Sequence, residues 1–213
     1  MMYKANIVQT FISALGAKSY LEIGTHRGQT FFDIIAKHKV GIDPMAPRLF
    51  PIKGITRNNS DDFFAENKKT FDVILIDGLH YAEQAKKDIE NALAILNSKG
   101  VIVVADLLPP REHYQVVPPE LNTIQWTGDT WETWVRLRET REDLSMFVVD
   151  ADLGCGIITV GSQDLLENDK ELNWENFDRY KQQWMNIISE QDFSDRYETS
   201  MDRLFSCDRE ASQ

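Results

Sequence analysis

The apolar positions along the chain predict strands that alternate with helices. Four short apolar runs each carry a glycine or an acid near their C-terminal end; they are residues 19–24, 39–44, 71–78 and 101–107. Apolar residues at helical spacing precede or separate them, at 3–16, 29–38 and 81–97. Because such alternation builds parallel βαβ units, we expect an α/β fold with a Rossmann-like, mostly parallel sheet and helices on both faces.

The chain changes character after residue 107. Residues 107–128 contain two Pro-Pro pairs and no clear period, which is typical of a functional loop, and we call them the lid-like segment. A helix, then a hairpin over residues 144–161, predict an antiparallel last strand. We therefore expect a domain over 1–161, followed by a helical C-terminal extension over 162–213 that packs on the domain or on a second subunit.

Two amphipathic helices are predicted in this extension. The first has its apolar face at Phe177, Tyr180, Trp184, Ile187 and Ile188. The second has Tyr197, Met201, Leu204 and Phe205 at helical spacing.

Charge and composition indicate which classes of binding partner to expect. The net charge is −11, and residues 162–213 hold 13 acidic against 6 basic residues, which opposes binding to nucleic acid or an anionic membrane. No apolar run approaches a membrane span, and the N-terminus does not resemble a signal peptide. Two cysteines suit a reducing compartment. We expect a cytoplasmic protein that acts on a small molecule, with a homo-oligomer left open.

The stretch from Ser19 to Phe32 predicts a strand, a glycine turn and a helix that together cradle a ligand. A dinucleotide turn would need glycine where this chain has His26 and Gln29, which argues against NAD. An acid at Asp43, about 20 residues past the turn, can still accept hydrogen bonds from a ribose. The pattern favours a nucleoside without a pyrophosphate, with an NAD-dependent dehydrogenase as the alternative.

These motifs resemble class I S-adenosylmethionine-dependent methyltransferases. The resemblance extends over about residues 5–160, through "YLEIGTHRGQTF", "VGIDP" and "FDVILIDGLHYAEQAKKDIENALAILNSKGVIVVAD". More narrowly, the chain resembles methyltransferase domain family 24, which includes macrocin-type and rhamnosyl sugar O-methyltransferases. The resemblance implies O-methylation of a small molecule, plausibly a sugar or glycoside. A non-catalytic binding or assembly protein with this fold is the other alternative.

The resemblance implies roles for particular residues in binding S-adenosylmethionine. Glu22, Gly24 and Gly28 would shape the cradle for its methionine part, and Asp43 would bind the ribose. Ser60, Asp61 or Asp62 would lie near the adenine, with Asp62 at its amino group. Asp77 would lie beside the transferred methyl group. Two structural roles stay open: Asp43 as a strand end, and Ser60 with its two neighbouring acids as a helix cap.

Asp77 and Asp106 end two apolar strands, where carboxylates imply a cation or a raised pKa. The resemblance implies a divalent ion such as Mg²⁺ at these two residues, although Leu107 replaces the family's polar neighbour. His80 is the candidate base, because its ordinary pKa is near neutrality. A metal and a metal-free base both remain open. Glu132 also departs from the family, which often has a basic residue there.

Overall fold

A computed structural model describes residues 1–49, 51–121 and 125–197 of the chain. Its eight strands are β1 (Ser19–Ile23), β2 (His38–Ile42), β3 (Ile55–Thr56), β4 (Phe71–Ile76), β5 (Leu96–Val104), β6 (Leu144–Val149), β7 (Cys155–Val160) and β8 (Ile187–Ile188). Its α-helices are α1 (Lys4–Leu15), α2 (Gln29–Asp33), α3 (Ser60–Glu66), α4 (Ala82–Ala94), α5 (Thr130–Thr140), α6 (Trp174–Met185) and α7 (Glu190–Tyr197).

All eight strands form one sheet in the order β3-β2-β1-β4-β5-β7-β6-β8. Strand β7 runs antiparallel to both of its neighbours, β5 and β6, and the other pairs are parallel. The expected Rossmann-like α/β fold with a late antiparallel strand is therefore confirmed. The placement of Ile187 and Ile188 on a helix face was wrong: α6 ends at Met185, and these two residues form β8 beside β6. A strand of two residues is too short to show a period of its own.

The core lies on both faces of this sheet, which explains the unbroken apolar runs. Along β4, Val73 and Leu75 belong to one buried cluster, and Ile74 and Ile76 belong to the other. Successive side chains of a strand point to opposite faces, so a strand covered on both sides must be apolar throughout.

Helix α2 is shorter than expected: the apolar pattern predicted a helix over 29–38, but α2 ends at Asp33. The ammonium of Lys39 donates to the carbonyl oxygens of Phe31 and Ile34 at 2.6 and 2.7 Å. Lys39 thus provides hydrogen bonds to two carbonyl oxygens at the end of the helix. The backbone of Ile34 is extended, and its side chain is buried. Because Lys39 belongs to the next strand, the helical pattern alone could not show this stop.

The described part of the C-terminal extension packs on the rest of the chain. Trp184 of α6 stacks on Trp131 of α5, with ring centroids 6.1 Å apart. Phe193 of α7 meets the edge of Phe11 of α1 at 5.6 Å. The boundary at residue 161 and the second-subunit alternative remain predictions. Met201, Leu204 and Phe205 of the second predicted tail helix lie outside the described residues.

A search of the described helices finds none long and apolar enough to cross a membrane.

Candidate active site

The glycine turn after β1 packs directly against the end of β4. Gly24 has a φ of +87°, and a Cβ at this position would lie 1.9 Å from the carbonyl oxygen of Asp77. Only glycine combines this φ with so close an approach of two backbones. The turn and the tip of β4 therefore form one rigid surface.

A cavity of about 540 Å³ opens beyond the C-terminal ends of β1, β2 and β4. Five of the residues predicted for cofactor binding or catalysis line it: Gly24, Asp43, Ser60, Asp77 and His80. Its volume is typical of a site for a cofactor or small ligand. Its place at the carboxyl ends of parallel strands is where open α/β sheets bind ligands.

Asp43 has the structural role left open by the sequence and also lines the cavity, while its contact with a ribose stays a prediction. Its Oδ2 accepts a hydrogen bond from the backbone N–H of His26 at 2.5 Å, and its Oδ1 accepts from that of Met45 at 2.6 Å. These bonds order the loop after β2. Because each carboxylate oxygen has a second lone pair, the same side chain can also accept from a ligand in the cavity.

Helix α3 begins at the wall of the cavity, where the sequence predicted the adenine. Its N-cap is Asn59, whose side-chain oxygen accepts from the N–H of Asp62 at 2.8 Å. The Asp62 carboxylate accepts from the Asn59 amide at 2.7 Å, and this residue does not line the cavity. Ser60 and Asp61 do line it. The adenine contact predicted for Asp62 stays a prediction, and Asp61 is the neighbouring acid that lies in the cavity wall.

Glu22 and Gly28 support the cradle without lining the cavity. Glu22 is 1% exposed and accepts a hydrogen bond of 2.6 Å from the Tyr20 hydroxyl. Burial raises the pKa of Glu22 to about 7, although the bond from Tyr20 opposes this shift. Gly28, with a φ of +82°, is the N-cap of α2.

His80 joins the two carboxylates predicted at the strand tips. Its Nε2 lies 3.4 Å from Oδ1 of Asp77 and 3.3 Å from Oδ2 of Asp106. Its Nδ1 lies 2.8 Å from the carbonyl oxygen of Trp126. Adjacent parallel strands β4 and β5 bring the two acids together, and the turn after β4 returns the histidine to them.

A fourth residue, Lys4, completes this cluster and was not predicted. Its Nζ lies 3.1 Å from Oδ2 of Asp77 and 3.8 Å from Oδ2 of Asp106. Lys4 is the first residue of α1, which lies far from both acids in sequence. One signal was available: it is the only charged side chain among the first 17 residues.

Comparison with known proteins agrees with this geometry. Residues 21–107 match the model of a methyltransferase domain family, Methyltransf_24. This range contains the glycine turn, Asp43, Asp77, His80 and Asp106. Over these residues the chain is similar to the methyltransferase domains of that family. The predicted recognition as an S-adenosylmethionine-dependent methyltransferase is thereby confirmed, whereas the sugar-specific group within the family is not.

Solved structures with the same fold are also methyltransferases. SAH-bound PaMTH1 from Podospora anserina is 12% identical, with a TM-score of 0.56 over 76% of this chain and 80% of that one. An O-methyltransferase from Bacillus cereus in complex with SAH is 15% identical, with a TM-score of 0.52 over 74% and 80%. At such identities the likeness shows the fold. No curated protein matches the chain.

The charged groups of the candidate site shift one another's pKa values. Burial favours the neutral form of Asp77, but the hydrogen bond with His80 and the charge of Lys4 outweigh burial and lower the pKa. Burial and the neighbouring Asp77 raise the pKa of Asp106 to about 7. Burial opposes a charged His80, but the two acids outweigh it and raise the imidazole pKa. Asp77 is the more acidic carboxyl because it has the hydrogen bond with His80 and lies closer to Lys4.

The predicted Mg²⁺ site can be tested against these residues. The ligand atoms of Asp77, His80 and Asp106 lie within 4.8 Å of one another. However, imidazole suits Mg²⁺ poorly, Leu107 is 0% exposed in the core, and the Lys4 ammonium contacts both carboxylates. The arrangement of these groups does not fit Mg²⁺.

Proposed function

We propose that this protein is an S-adenosylmethionine-dependent O-methyltransferase that acts on a hydroxyl group of a small molecule. The observation that carries the proposal is the position of His80, which lines the cavity beside the glycine turn and has its Nε2 at the acidic strand tips. A proton acceptor at the reacting end of a nucleoside cavity is what methylation of a hydroxyl requires.

The cavity supplies a fitting surface for each part of the cofactor. The Gly24 turn, which a Cβ would block, would accept the methionine part, Asp43 would accept from the ribose, and Ser60 with Asp61 would face the adenine. When bound, S-adenosylmethionine supplies a methyl group on a positively charged sulfur. Asp77, at the wall of the cavity, places negative charge near this sulfonium.

His80 has the geometry of a general base. Nε2 of His80 would take the proton that the acceptor hydroxyl loses when its oxygen receives the methyl group, and the electron pair of the broken carbon–sulfur bond would remain on sulfur. The hydrogen bond between Nδ1 and Trp126 keeps the ring oriented throughout. Such a positioned base contributes on the order of 10²–10⁴-fold to the rate.

A sugar or glycoside is the acceptor class that we favour. The ring of Trp126 lies 5.6 Å from that of His80, and an aromatic face beside a base suits a sugar ring. Asp77, Asp106 and the partly buried Glu132 make a neutral acceptor more favourable than an anionic one. The net charge of −11 opposes a nucleic-acid substrate, and we propose a cytoplasmic location.

Transfer of an isotopically labelled methyl group tests this function. We expect O-methylated products from a panel of neutral sugars, glycosides and catechols, detected by mass spectrometry. The variant His80→Gln should reduce turnover by at least about 100-fold. Cofactor binding with no transfer to any acceptor would instead support the non-catalytic alternative, and thermal stabilisation by NAD would favour a dehydrogenase.

A further inference from the structure

We infer that Lys4 is the built-in cation of the acidic strand tips, and that methyl transfer in this protein does not use a divalent metal ion. The part of this inference that concerns catalysis rests on the proposed function. The placement of the charge does not, because it follows from the geometry of the chain alone.

The Lys4 ammonium lies between the Asp77 and Asp106 carboxylates and contacts both of them. Lys4 Nζ contacts Oδ2 of Asp77 at 3.1 Å and Oδ2 of Asp106 at 3.8 Å. The Lys4 side chain is only 17% exposed, so water screens these interactions weakly. Buried carboxylates need a partner of this kind, and here the protein supplies it.

The fold holds Lys4 in place through its backbone. The N–H of Lys4 donates to Oδ2 of Asp152, in the turn between β6 and β7, at 2.9 Å. Two residues earlier, the N–H of Met2 donates to Oε1 of Glu190 in α7 at 3.0 Å. The start of α1 is therefore tied to two separate elements that lie late in the sequence, and the lysine is positioned before any ligand binds.

The charge balance of the cluster also argues against an added metal. Asp77 and Asp106 supply at most two negative charges, and the Lys4 ammonium already places one positive charge beside them. A divalent ion at the same two carboxylates would leave an excess of positive charge in a largely buried site, which is unfavourable. Leu107, which is fully buried, offers no further ligand on the β5 side.

Lys4 is a positioning residue in this account. Its ammonium contacts Oδ2 of Asp77, whose Oδ1 faces Nε2 of His80, and it shares Oδ2 of Asp106 with that nitrogen. In a metal-dependent site a divalent ion would hold the carboxylates. In this protein the first residue of helix α1, Lys4, holds them instead.

Binding of Mn²⁺, followed by electron paramagnetic resonance, tests the inference without relying on activity. We expect no site tighter than about 1 mM in the wild type or in Lys4→Arg. In Lys4→Met, which keeps the length of the side chain but not its charge, Mn²⁺ should bind at least about tenfold more tightly. Adding Asp106→Asn to Lys4→Met should abolish that gain.

Two results would overturn the inference. One is wild-type Mn²⁺ binding well below 1 mM that Asp106→Asn removes, a measurement that does not depend on how Lys4→Met folds. The other is a folded Lys4→Met, checked by circular dichroism, with no gain in Mn²⁺ affinity. Titration of the same samples with S-adenosylhomocysteine separates the two proposals, because absence of that binding contradicts the proposed function and leaves the Mn²⁺ result standing.

Methyl transfer provides the second readout. Wild-type turnover should be unchanged by EDTA, and Lys4→Arg should retain the pH profile of the wild type. If Lys4→Met recovers turnover when Mn²⁺ is added, the ion has taken over the role of the ammonium, as the inference requires. Loss of wild-type turnover on EDTA treatment, restored by Mg²⁺, would contradict it.

Discussion

The Nδ1 atom of His80 lies 2.8 Å from the carbonyl oxygen of Trp126. A carbonyl oxygen can only accept, so Nδ1 carries the proton and neutral His80 has its lone pair on Nε2, facing the acids. Trp126 belongs to the lid-like segment, and its indole N–H donates to the carbonyl oxygen of Val116 at 2.8 Å. The His80 ring is thus oriented by the lid-like segment, which the sequence predicted to be functional.

The rate of methyl transfer should rise with pH. His80 must be neutral to accept a proton, and its acidic neighbours raise its pKa, so the inflection in kcat/KM should lie above 6.5. Asp106→Asn removes one of these charges and should move the inflection to lower pH. Profiles of both proteins over about pH 5–9 check this. An inflection below 6.5 in the wild type would rule out His80 as this base.

Glu22→Gln should stabilise the protein at neutral and alkaline pH. The folded-state pKa of Glu22 is raised from 4.5 to about 7, so its stabilising contribution is complete below about pH 4.5 and is lost as the pH rises through 7. Relative to Glu22→Gln, the wild type should lose about 3 kcal/mol of unfolding free energy across this range. Urea unfolding at pH 5 and pH 8 measures the difference. The exposed Glu66→Gln is the control, and an equal pH response in both variants would contradict the prediction.

Gly24→Ala should abolish cofactor binding and destabilise the fold. The new methyl group would overlap the carbonyl oxygen of Asp77, so the turn and the tip of β4 must separate. Gly16→Ala is a matched control, because Gly16 also has a positive φ, of +58°, with no atom within 4 Å of the added Cβ. It should cost about 1 kcal/mol and leave binding intact. Thermal unfolding and a ligand titration compare the two, and equal effects would show that strain alone matters.

The variants Asp61→Asn and Asp62→Asn should differ in their effects, because Asp61 belongs to the cavity wall and Asp62 to the cap of helix α3. Asp61 lines the cavity and should matter for S-adenosylhomocysteine, with a loss of about tenfold in affinity if it binds the adenine amino group. Asp62 accepts from the capping Asn59, so its variant should change stability by under 1 kcal/mol and leave affinity unchanged. The reverse order of affinities would restore the assignment predicted from the sequence.

The sequence predicted those elements that are determined by residues close to one another in the chain. The strand, turn and helix around Gly24 follow from neighbouring residues, and the burial of β4 follows from its unbroken apolar run. The cofactor-side positions of Asp43 and Asp77 also followed, because strand ends of a parallel sheet share one edge.

The remaining features depend on contacts between distant parts of the chain. Lys4 reaches an acid 73 positions away, and no periodicity reports such a contact. The choice of Asp61 over Asp62 depends on the rotation of α3, which its Asn59 cap sets. The early end of α2 depends on Lys39 in the following strand. Packing between elements decides each of these.

Isothermal titration with S-adenosylhomocysteine tests the central claim most directly. The account predicts one site per chain with a Kd below about 10 µM, lost in Gly24→Ala and retained in Gly16→Ala, with NAD giving no signal. No binding of S-adenosylhomocysteine at about 100 µM to the folded wild-type protein would contradict it.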